Sequence, residues 1–247
     1  MADILADPIV SSLKSVARRL NAVVVADAPS GKEKEYRVAN GSERLYLVSP
    51  AAKEFLKDAL LDVPASAHAA GIMATINFWE SPSNKEISGI VGTSRPISFA
   101  LDDPDSEGQL LNSIQVATIV RLNGFRLWGV RGTGDQTDLK TNQLQKVRIS
   151  DAIKEALISS HAYAVARNLT RTYFETVTAS VNAYLADLQV LGAIAGGICY
   201  AKAEANTPEN LFDGKATFVY SYTPSPVSET LTFEEQITDK FLENIVN

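Results

Sequence analysis

The segment from Trp79 to Ile97 constrains the fold of this chain more than any other stretch. It reads WESPSNKEISGIVGTSRPI, and its two prolines and two glycines exclude a long helix. Its aliphatic side chains still require burial, and they are Ile87, Ile90, Val91 and Ile97. A buried irregular segment needs a hydrogen-bond partner for each backbone N–H and C=O group. We therefore expect a long loop that crosses the core and is held in place by tertiary structure.

The composition is that of an ordinary globular protein. Of the 247 residues, 45% are hydrophobic and 21% are charged, and this length suits one large or two modest domains. The net charge of −6 argues against nonspecific binding to nucleic acid or to an anionic membrane surface. No apolar run approaches the roughly 20 residues of a membrane-spanning helix. We therefore expect no nucleic-acid partner and no direct membrane insertion.

The first hundred residues alternate between helical and strand patterns. Pro8 opens a helix whose predicted buried stripe consists of Ile9, Leu13, Val16, Ala17 and Leu20. Short buried strands are predicted at residues 22–26 and 44–49, with a polar connection over residues 31–43. This order predicts part of an open α/β sheet. Two parallel strands cannot cover themselves, so we expect further strands from earlier in the chain.

A helix and a hairpin are predicted next. Residues 64–77 read PASAHAAGIMATIN and predict a closely packed helix in which alanines let neighbouring elements approach. Asn123-Gly124 lies between the β-rich runs 116–121 and 125–129. Because Asn-Gly is the strongest short-range hairpin signal, we predict a hairpin here.

Two amphipathic helices are predicted in the second half of the chain. Apolar residues recur with helical spacing over residues 149–164 and again over residues 174–188. Thr172 and Glu175 have the spacing of a capping box at the start of the second helix. Gly192 has the usual position of a glycine that ends a helix.

The chain ends in two runs that alternate between apolar and polar residues. Residues 215–223 and 230–238 each show the period of two that is typical of a strand, and a short strand at 196–200 precedes them. Two strands alone are only marginally stable in water. Such strands either join a sheet of their own domain or pair with another chain, because an unpaired edge is a template for pairing.

The acidic loop at residues 102–108 is the best candidate for a metal site, but it is incomplete. Asp103, Asp105 and Glu107 alternate before Gly108, as in a calcium-binding EF-hand loop. The twelfth position of such a loop should be a bidentate Glu, and here it is Ile114. We therefore interpret the loop as a solvated turn and predict neither a metal site nor a cofactor.

His68, His161 and Cys199 are the candidates for nucleophilic catalysis. A Cys–His site needs a histidine held against the thiol, and no hydrolase signature accompanies these residues. As the only cysteine, Cys199 excludes an intrachain disulfide and suits a reducing compartment. We therefore predict that the protein is not an enzyme. The alternative is a small-molecule enzyme or binding protein on an α/β scaffold, with a pocket lined by a histidine or by the acidic loop.

Two glycine-containing loops do not complete nucleotide-binding motifs. Gly31-Lys32 lacks the upstream glycine of a phosphate-binding loop, and Glu33 stands where Ser or Thr would bind magnesium. Residues 132–135 lack the third glycine of a dinucleotide fingerprint. We expect a flexible loop there.

Several segments of the chain match the motifs of a known family. They are SPSNKEISGIVGTSRP (81–96), GFRLWG (124–129), HAYAVARNLT (161–170), NAYLADLQVLGAI (182–194), NTPENLFDGKATFVYSYTP (206–224) and LTFEEQITDKF (231–241). The first is the most specific, because a long aperiodic string rarely recurs by chance. Together they resemble the contractile tail sheath proteins of P2-like and Mu-like phages and of R-type pyocins, over most of the chain.

The residue patterns and the resemblance together imply a fold of the mixed α/β (α+β) class in two parts. Residues 1–100 would form a partial open α/β sheet domain. Residues 101–247 would form a C-terminal α+β sheath domain whose terminal strands, within residues 215–238, pair with neighbouring subunits. Members of the family carry an additional N-terminal region with an extended arm. We interpret this chain as a truncated form, a processed form or an unusually short member.

The resemblance also implies a function. Subunits of this family form a six-start helical sleeve around a rigid inner tube, and the sleeve contracts without nucleotide hydrolysis to drive the tube through a target cell envelope. The expected partners are neighbouring sheath subunits, the inner tail tube protein, and the baseplate and tail terminator proteins. The expected location is a virion tail or tail-like particle that is assembled in the bacterial host cytoplasm.

Two sets of residues are candidate contact sites in such an assembly. The strands at 215–223 and 230–238 would link subunits through main-chain hydrogen bonds. Their candidate residues are Lys215, Thr217, Val219, Ser221, Thr223, Thr230, Thr232, Phe233 and Gln236. The turn-rich segment before them is the candidate tube-facing surface, formed by Asn206, Glu209, Asn210 and Asp213.

Overall fold

The computed structural model describes residues 5–240 of the chain. Within that range the chain forms seven α-helices and nine β-strands. The helices are α1 (Pro8–Arg19), α2 (Glu33–Asn40), α3 (Ala65–Thr75), α4 (Glu107–Ser113), α5 (Leu144–Ser160), α6 (Arg171–Val190) and α7 (Pro208–Phe212). The strands are β1 (Val24–Asp27), β2 (Leu45–Val48), β3 (Ala52–Leu56), β4 (Ala59–Val63), β5 (Ile90–Thr93), β6 (Val116–Arg121), β7 (Phe125–Trp128), β8 (Ile194–Ala201) and β9 (Phe218–Pro224). The expected mixed α+β class is confirmed.

A four-stranded sheet with the order β1-β2-β6-β7 organises the N-terminal half. Strand β2 pairs in parallel with β1 and with β6, and β7 pairs antiparallel with β6 in the predicted hairpin. The second partner of β2 therefore comes from later in the chain, whereas β1 ends the sheet among the described residues, and the expectation of strands from earlier in the chain stays a prediction. The chain returns to the sheet only after the excursion from β3 to α4, which no pattern near β1 and β2 could indicate.

Helices cover both faces of this sheet. On one face Tyr46 and Val48 of β2 pack in a cluster with α3, and on the other Leu45 and Leu47 pack with α1 and α2. All four side chains are 0% exposed. A strand that alternates its side chains between two covered faces reads as a continuous apolar run, which is why β2 was recognised from sequence.

The buried stripe predicted for α1 is wrong. Val10 and Ala17, two helical turns apart, face the sheet and are each 4% exposed. Asp7 sets this rotation, because its carboxylate accepts hydrogen bonds from the backbone of Ile9 and Val10 and from the hydroxyl of Tyr36, the last at 2.9 Å. Four members of the predicted stripe are 44–70% exposed, namely Ile9, Leu13, Val16 and Leu20.

A second sheet has the order β4-β3-β5, and its β3–β4 hairpin was not predicted. The hairpin turns at Lys57-Asp58, with φ angles of +46° and +61°. Such angles are those of a type I′ turn, which normally carries Asn-Gly. The turn therefore has no recognisable signal in the sequence. Helix α2 was likewise missed, because its residues read as a polar connection.

The proline- and glycine-rich segment before β5 finds its backbone partners along β7. The N–H of Asn84 donates to the C=O of Leu127 at 2.6 Å, and the N–H of Ile87 donates to the C=O of Phe125 at 2.8 Å. Ile87 is 6% exposed, whereas Val91 is 58% exposed. The expectation of a core-crossing segment held by tertiary hydrogen bonds is confirmed, although not every aliphatic side chain in it is buried.

An ion-pair cluster holds the end of that segment. The guanidinium of Arg95 pairs with Glu107 at the start of α4 and donates to Oε1 of Glu33 at 3.1 Å. Burial raises the pKa of the Glu33 carboxyl, but hydrogen bonds from the backbone of residues 33 and 31 and from Ser49, with the charge of Arg95, lower it overall. The cluster ties β5, α2 and α4 together.

Helices α5 and α6 and the β8–β9 sheet form the core of the C-terminal half. Ile153 and Leu185 are 0% exposed and Ile194 is 1% exposed in a shared cluster. The two predicted helices are thus confirmed, with lengths of 17 and 20 residues. Within residues 5–240, no helix combines the length and the apolar character needed to cross a membrane.

The start of α6 differs from the prediction, and its end agrees with it. The hydroxyl of Thr170 accepts a hydrogen bond from the N–H of Tyr173 at 3.2 Å and caps the helix. The capping box predicted from Thr172 and Glu175 is therefore wrong, since Thr172 lies inside the first turn. Gly192 follows the helix with a φ of +78°, the left-handed conformation that glycine adopts without strain.

The second of the two predicted C-terminal strands does not form in this chain. Residues 230–238 have no regular secondary structure. Leu231, Phe233 and Ile237 are 75%, 85% and 93% exposed. A strand requires a neighbour that takes up its backbone hydrogen bonds, and among the described residues this segment has none of its own chain beside it. The first predicted run does form a strand, β9.

Candidate assembly interface

Strands β8 and β9 form an antiparallel sheet that packs on α6. The register places Cys199 opposite Tyr220 and Ile198 opposite Ser221. The rings of Tyr220 and Tyr222 stack 6.3 Å apart and pack against the α6 core. Burial, and then the neighbouring Tyr222, raise the pKa of the Tyr220 hydroxyl. A two-stranded sheet has two edges, and each is a place where another strand can add.

The predicted linking residues divide between this sheet and the segment beyond it. Val219, Ser221 and Thr223 lie in β9 and alternate with the aromatic residues that face α6. Lys215 and Thr217 precede the strand. The other four are exposed in the irregular C-terminal segment, and they are Thr230, Thr232, Phe233 and Gln236.

A side chain occupies the outer edge of β8. The Oδ1 atom of Asn182 accepts the N–H of Cys199 at 2.7 Å, and its Nδ2 donates to the C=O of Cys199 at 3.0 Å. Asn182 lies on α6 next to Val181, which is 5% exposed. A side-chain amide carries the same donor and acceptor as a peptide group. Asn182 thus stands where the backbone of a third strand would lie.

A second amide holds the chain where it leaves β9. The Oε1 atom of Gln143 accepts the N–H of Val227 at 3.1 Å, and its Nε2 donates to the C=O of Val227 at 2.9 Å. Arg131 donates to the carboxylate of Glu229 at 2.7 Å. Residues 227–230 also line a cleft with Trp128 of the N-terminal sheet. The C-terminal segment therefore starts against the N-terminal half of the molecule.

The four candidate tube-facing residues have two different roles. The amide of Asn206 bonds both the N–H and the C=O of Thr217, and Nδ2 of Asn210 donates to the C=O of Ala205 at 2.8 Å. These two asparagines shape the loop. Glu209 and Asp213 are exposed at the two ends of α7. Sequence reasoning missed Phe212, which is 97% exposed between them and is recognisable only as an apolar residue in a polar turn.

The residues considered for catalysis lie in separate environments. Nε2 of His68 pairs with Glu54 at 3.0 Å, whereas Nδ1 of His161 lies 3.0 Å from the C=O of Leu157 at the end of α5. Cys199 is 3% exposed, and burial raises the pKa of its thiol. Neither histidine bonds the thiol in the described residues. A thiol with a raised pKa is a poor nucleophile, so this arrangement does not favour Cys–His chemistry.

The acidic residues of the loop at 102–108 bond other residues of the loop and a neighbouring arginine. Oδ1 of Asp103 accepts the N–H of Asp105 at 3.0 Å, and Glu107 pairs with Arg95. Within residues 5–240 no cluster of three or more His, Cys, Asp or Glu residues is arranged to hold a metal ion.

A cleft of about 900 Å³ lies elsewhere, between the start of α5 and the end of β9, and its lining includes Arg44 and Lys154. The enzyme alternative expected a pocket lined by the histidines or the acidic loop, and this cleft is lined by neither.

The glycine loop at residues 132–135, after β7, packs against the protein. The expectation of a flexible loop there is wrong. Thr133 is 2% exposed, and its hydroxyl accepts the N–H of Ser42 at 3.1 Å. A Cβ atom at Gly134 would lie 2.9 Å from the backbone of Glu43, so only glycine fits. The loop packs against residues about ninety positions earlier in the chain, which a local pattern cannot reveal.

Comparison with known protein families agrees with this geometry. Residues 2–133 match the phage tail sheath protein central domain, and residues 136–238 match the phage tail sheath C-terminal domain. The chain belongs to the phage tail sheath protein family. The resemblance noted from the sequence motifs is thereby confirmed. The second match includes β8, β9 and the exposed segment at 230–238.

Curated relatives in the sheath family are longer than this chain. A putative prophage major tail sheath protein of Pseudomonas aeruginosa (strain UCBPP-PA14) is 34% identical over 248 residues, which cover 97% of this chain and 64% of that protein. The tail sheath protein of Escherichia phage P2 is 31% identical over 186 residues, covering 74% of this chain and 46% of that protein. The chain thus spans less than two thirds of the length of these relatives.

Solved structures of sheath assemblies share the fold. The sheath complex of the PVC extracellular contractile injection system, in the contracted state, aligns with a TM-score of 0.77 at 17% identity, covering 95% of this chain and 69% of that chain. The contracted helical sheath of the anti-feeding prophage aligns with a TM-score of 0.73 at 18% identity, covering 93% and 68%. At such identities the likeness shows the fold alone.

Proposed function

We propose that the protein is a structural subunit of a contractile tail sheath. Copies assemble as a helical sleeve around an inner tube, and the sleeve contracts to drive the tube through a target cell envelope. The observation that carries the proposal is the exposed segment at 230–238 with its alternating apolar residues, in a chain whose β8–β9 sheet has only two strands among the described residues. A head-to-tail contact, in which one copy supplies the segment and the next supplies the sheet, need not close and can build a helix of subunits.

The proposed partners follow from this role. They are neighbouring sheath subunits, the inner tail tube protein, and the baseplate and tail terminator proteins. The proposed location is a virion tail or tail-like particle that is assembled in the bacterial host cytoplasm. The role requires no catalytic residue, metal or cofactor, since the work of contraction comes from rearranged subunit contacts.

The division of the subunit into two units is also part of the proposal. The two family matches meet between residues 133 and 136. Strands β6 and β7 belong to the N-terminal sheet although they follow residue 100. These observations support a division near residue 135 in place of the predicted one at residue 100.

Helix α7 is the proposed tube-facing surface, with Phe212 as its apolar contact and Glu209 and Asp213 as its charged contacts. An almost fully exposed phenylalanine flanked by carboxylates suits a partner surface that offers an apolar patch with basic residues around it. We expect Phe212→Ser to lower the yield of tube-containing particles while the folded subunit is retained. The matched control is Leu101→Ser, an exposed apolar residue just before the acidic loop. Equal tube incorporation by both variants would contradict the assignment.

Negative-stain electron microscopy tests the proposed function. The chain is purified alone, with its cognate inner tube, and in a version extended by the additional region that the longer relatives possess. We expect striated sleeves of regular diameter around the tube in at least the extended version. If no version assembles in the presence of the tube, the sheath proposal fails.

A further inference from the structure

Residues 225–229 connect β9 to the C-terminal segment, and we call them the strap. At one end the N–H of Ser225 donates to the C=O of Ala193, just before β8, at 3.1 Å. At the other end the carboxylate of Glu229 accepts a hydrogen bond from Nε of Arg131, after β7, at 2.7 Å. The strap therefore begins on the C-terminal half of the molecule and ends on the N-terminal half.

The side chain of Gln143 holds the middle of the strap with all of its hydrogen-bonding groups. Its Oε1 atom accepts the N–H of Val227 at 3.1 Å and Nε2 of Gln145 at 2.8 Å. Its Nε2 atom donates to the C=O of Val227 at 2.9 Å and to Oε1 of Glu229 at 2.5 Å. A glutamine amide has two acceptor positions and two N–H donors, so this one is fully paired. It is also buried, with 5% of its surface exposed.

Gln145 determines which end of that amide faces the N–H of Val227. It is 0% exposed, and within the described residues its own Oε1 atom has no hydrogen-bond partner. A buried acceptor without a partner destabilises a fold, and an apolar side chain of similar size would avoid that penalty. Gln145 nevertheless donates its Nε2 to Oε1 of Gln143. This hydrogen bond orients the Gln143 amide, which is a role in positioning and not in packing.

Packing contributes little to the position of the strap. Residues 227–230 line a cleft of about 540 Å³ together with Trp128 and Asn112. The strap therefore does not fill the space beside it as a buried apolar segment would. Hydrogen bonds to the two ends and to Gln143 hold it in place.

We propose that Gln143, oriented by Gln145, is the positioning residue of the C-terminal segment and holds the strap across the junction of the two halves. The segment at 230–238 then leaves the molecule from a fixed point on the N-terminal half, although β9 before it belongs to the C-terminal half. A rotation between the halves moves the segment with the N-terminal half. This role belongs to the single chain and does not depend on whether copies assemble, so it goes beyond the proposed sheath function.

Hydrogen–deuterium exchange read by mass spectrometry tests the hold of Gln143 on the strap. In the parent chain we expect the N–H groups of Ser225 and Val227 to exchange slowly, because each bonds an oxygen atom of the protein. Gln143→Leu removes the amide at similar size. Exchange in a peptide covering residues 225–230 should become about tenfold faster or more, while the peptides of β8 and β9 keep their rates. Unchanged exchange in residues 225–230 overturns the proposal.

Gln145→Leu separates positioning from stability. It removes the buried acceptor that has no partner among the described residues, so the urea midpoint should stay the same or rise. Exchange at Val227 should nevertheless become faster, because the Gln143 amide is then free to rotate. A lower urea midpoint with unchanged exchange at Val227 shows that Gln145 packs and does not position.

Glu229 provides a rescue test that keeps position 143 polar. Gln143→Glu retains an acceptor for the N–H of Val227 but removes the donor and adds a second carboxylate beside Glu229. We expect fast exchange in the strap of this variant. Adding Glu229→Gln removes the repulsion and restores an N–H donor beside residue 143, which should slow the exchange again. A double variant that exchanges as fast as Gln143→Glu overturns the proposal, and this pair decides even if Gln143→Leu does not fold.

Distances between two spin labels test the fixed exit point. The labels are attached to Thr230→Cys, the first residue of the segment, and to Ser12→Cys, an exposed position on α1. The native Cys199 is 3% exposed and serves as an unlabelled background. We expect one narrow distance peak with Gln143 intact and the loss of that peak in Gln143→Leu. A broad distribution in the parent chain, or the same narrow peak in both chains, overturns the proposal.

The outcomes separate the strap from the sheath function. All of these measurements use the single chain, so their failure leaves the sheath function standing. A chain that passes them but forms no sleeve with its tube rejects the sheath function and leaves the role of Gln143 standing.

Discussion

The N-terminal sheet and the β8–β9 sheet differ in what bonds the backbone groups of their edge strands. The N-terminal sheet pairs its strands within one chain, and even the irregular residues 84–87 run along β7 as an extra partner. The β8–β9 sheet has the side chain of Asn182 on its β8 edge, and no strand from residues 5–240 pairs with the outer edge of β9. At its β7 edge the first sheet thus resembles the interior of an independent domain, and the second sheet resembles half of an interface.

Because of this difference, we expect different substitutions to affect the stability of the single chain and the assembly of copies. Substitutions in the N-terminal sheet and its junction with α5 should change the free energy of unfolding. Substitutions in residues 230–238 should leave that free energy unchanged and affect only contacts between copies. Three predictions test the separation, in decreasing order of their effect on the single chain.

The largest effect is expected from Asp151→Ala, at the junction of the two halves. Arg44 at the start of β2 forms a bidentate ion pair with Asp151 on α5, with N–O distances of 2.5 and 2.7 Å. The two side chains are 11% and 6% exposed. Removing the carboxylate leaves a buried guanidinium without its counter-charge, which costs about 3–5 kcal/mol of unfolding free energy in urea titrations.

The control for this substitution is Glu43→Ala. Glu43 approaches Arg18 at 3.9 Å, and the two side chains are 36% and 68% exposed. Such a surface pair contributes about 0–1 kcal/mol. A loss below about 1 kcal/mol for Asp151→Ala would show that the junction is not a stabilising contact.

A smaller loss is expected from Gly129→Ala, at the end of β7. Gly129 has a φ of +149°, and a Cβ atom there would lie 2.6 Å from Cβ of Ala117 on β6. Its C=O also accepts the hydroxyl of buried Tyr46 at 2.7 Å. We expect a loss of about 1–3 kcal/mol of unfolding free energy from overpacking and backbone strain.

Gly71→Ala is the matched control for Gly129→Ala. Gly71 lies within α3, and nothing lies within 4 Å of a Cβ atom there. The same chemical change should stabilise the chain by up to about 1 kcal/mol, because alanine favours a helix over glycine. If both alanine variants shifted the urea midpoint in the same direction, the close approach of β6 and β7 would not explain the requirement for glycine.

The smallest effect on the single chain is expected from Phe233→Pro. Phe233 is 85% exposed in a segment without regular structure, so the unfolding free energy should change by less than about 0.5 kcal/mol. Sleeve formation should nevertheless be lost, because proline cannot donate to a strand ladder. Phe233→Val, which favours a strand, should retain assembly. Intact sleeves from Phe233→Pro would refute the linking role of this segment.

Proline at Val219 is a less selective version of the same test. Val219 lies opposite Tyr200 in the β8–β9 register, next to the pair in which Cys199 bonds outward. By alternation, the N–H of Val219 points toward β8. The substitution would therefore damage the fold of the single chain together with the interface.

The features that the sequence predicted correctly are those with local signals. The hairpin at Asn123-Gly124, the small-residue helix α3 and the periodic helices α5 and α6 formed as expected. The hairpin at Lys57-Asp58 was missed because its residues carry no turn signal, although both adopt positive φ. The stripe of α1 was misplaced because several faces of that helix carry apolar residues, and Asp7 with Tyr36 decides which one turns inward.

By itself, the sequence determined the mixed fold class, the periodic helices and the alternation of residues 230–238. These properties depend on near neighbours, so their physical cause is present in any short window of the chain. Only the tertiary structure decided that Asn182 occupies the β8 edge of the β8–β9 sheet and that Gln143 holds the start of the C-terminal segment. Asn182 is 17 residues from Cys199, and Gln143 is 84 residues from Val227. A side-chain amide replaces a backbone partner only when the fold brings the two together, and no local pattern carries that information.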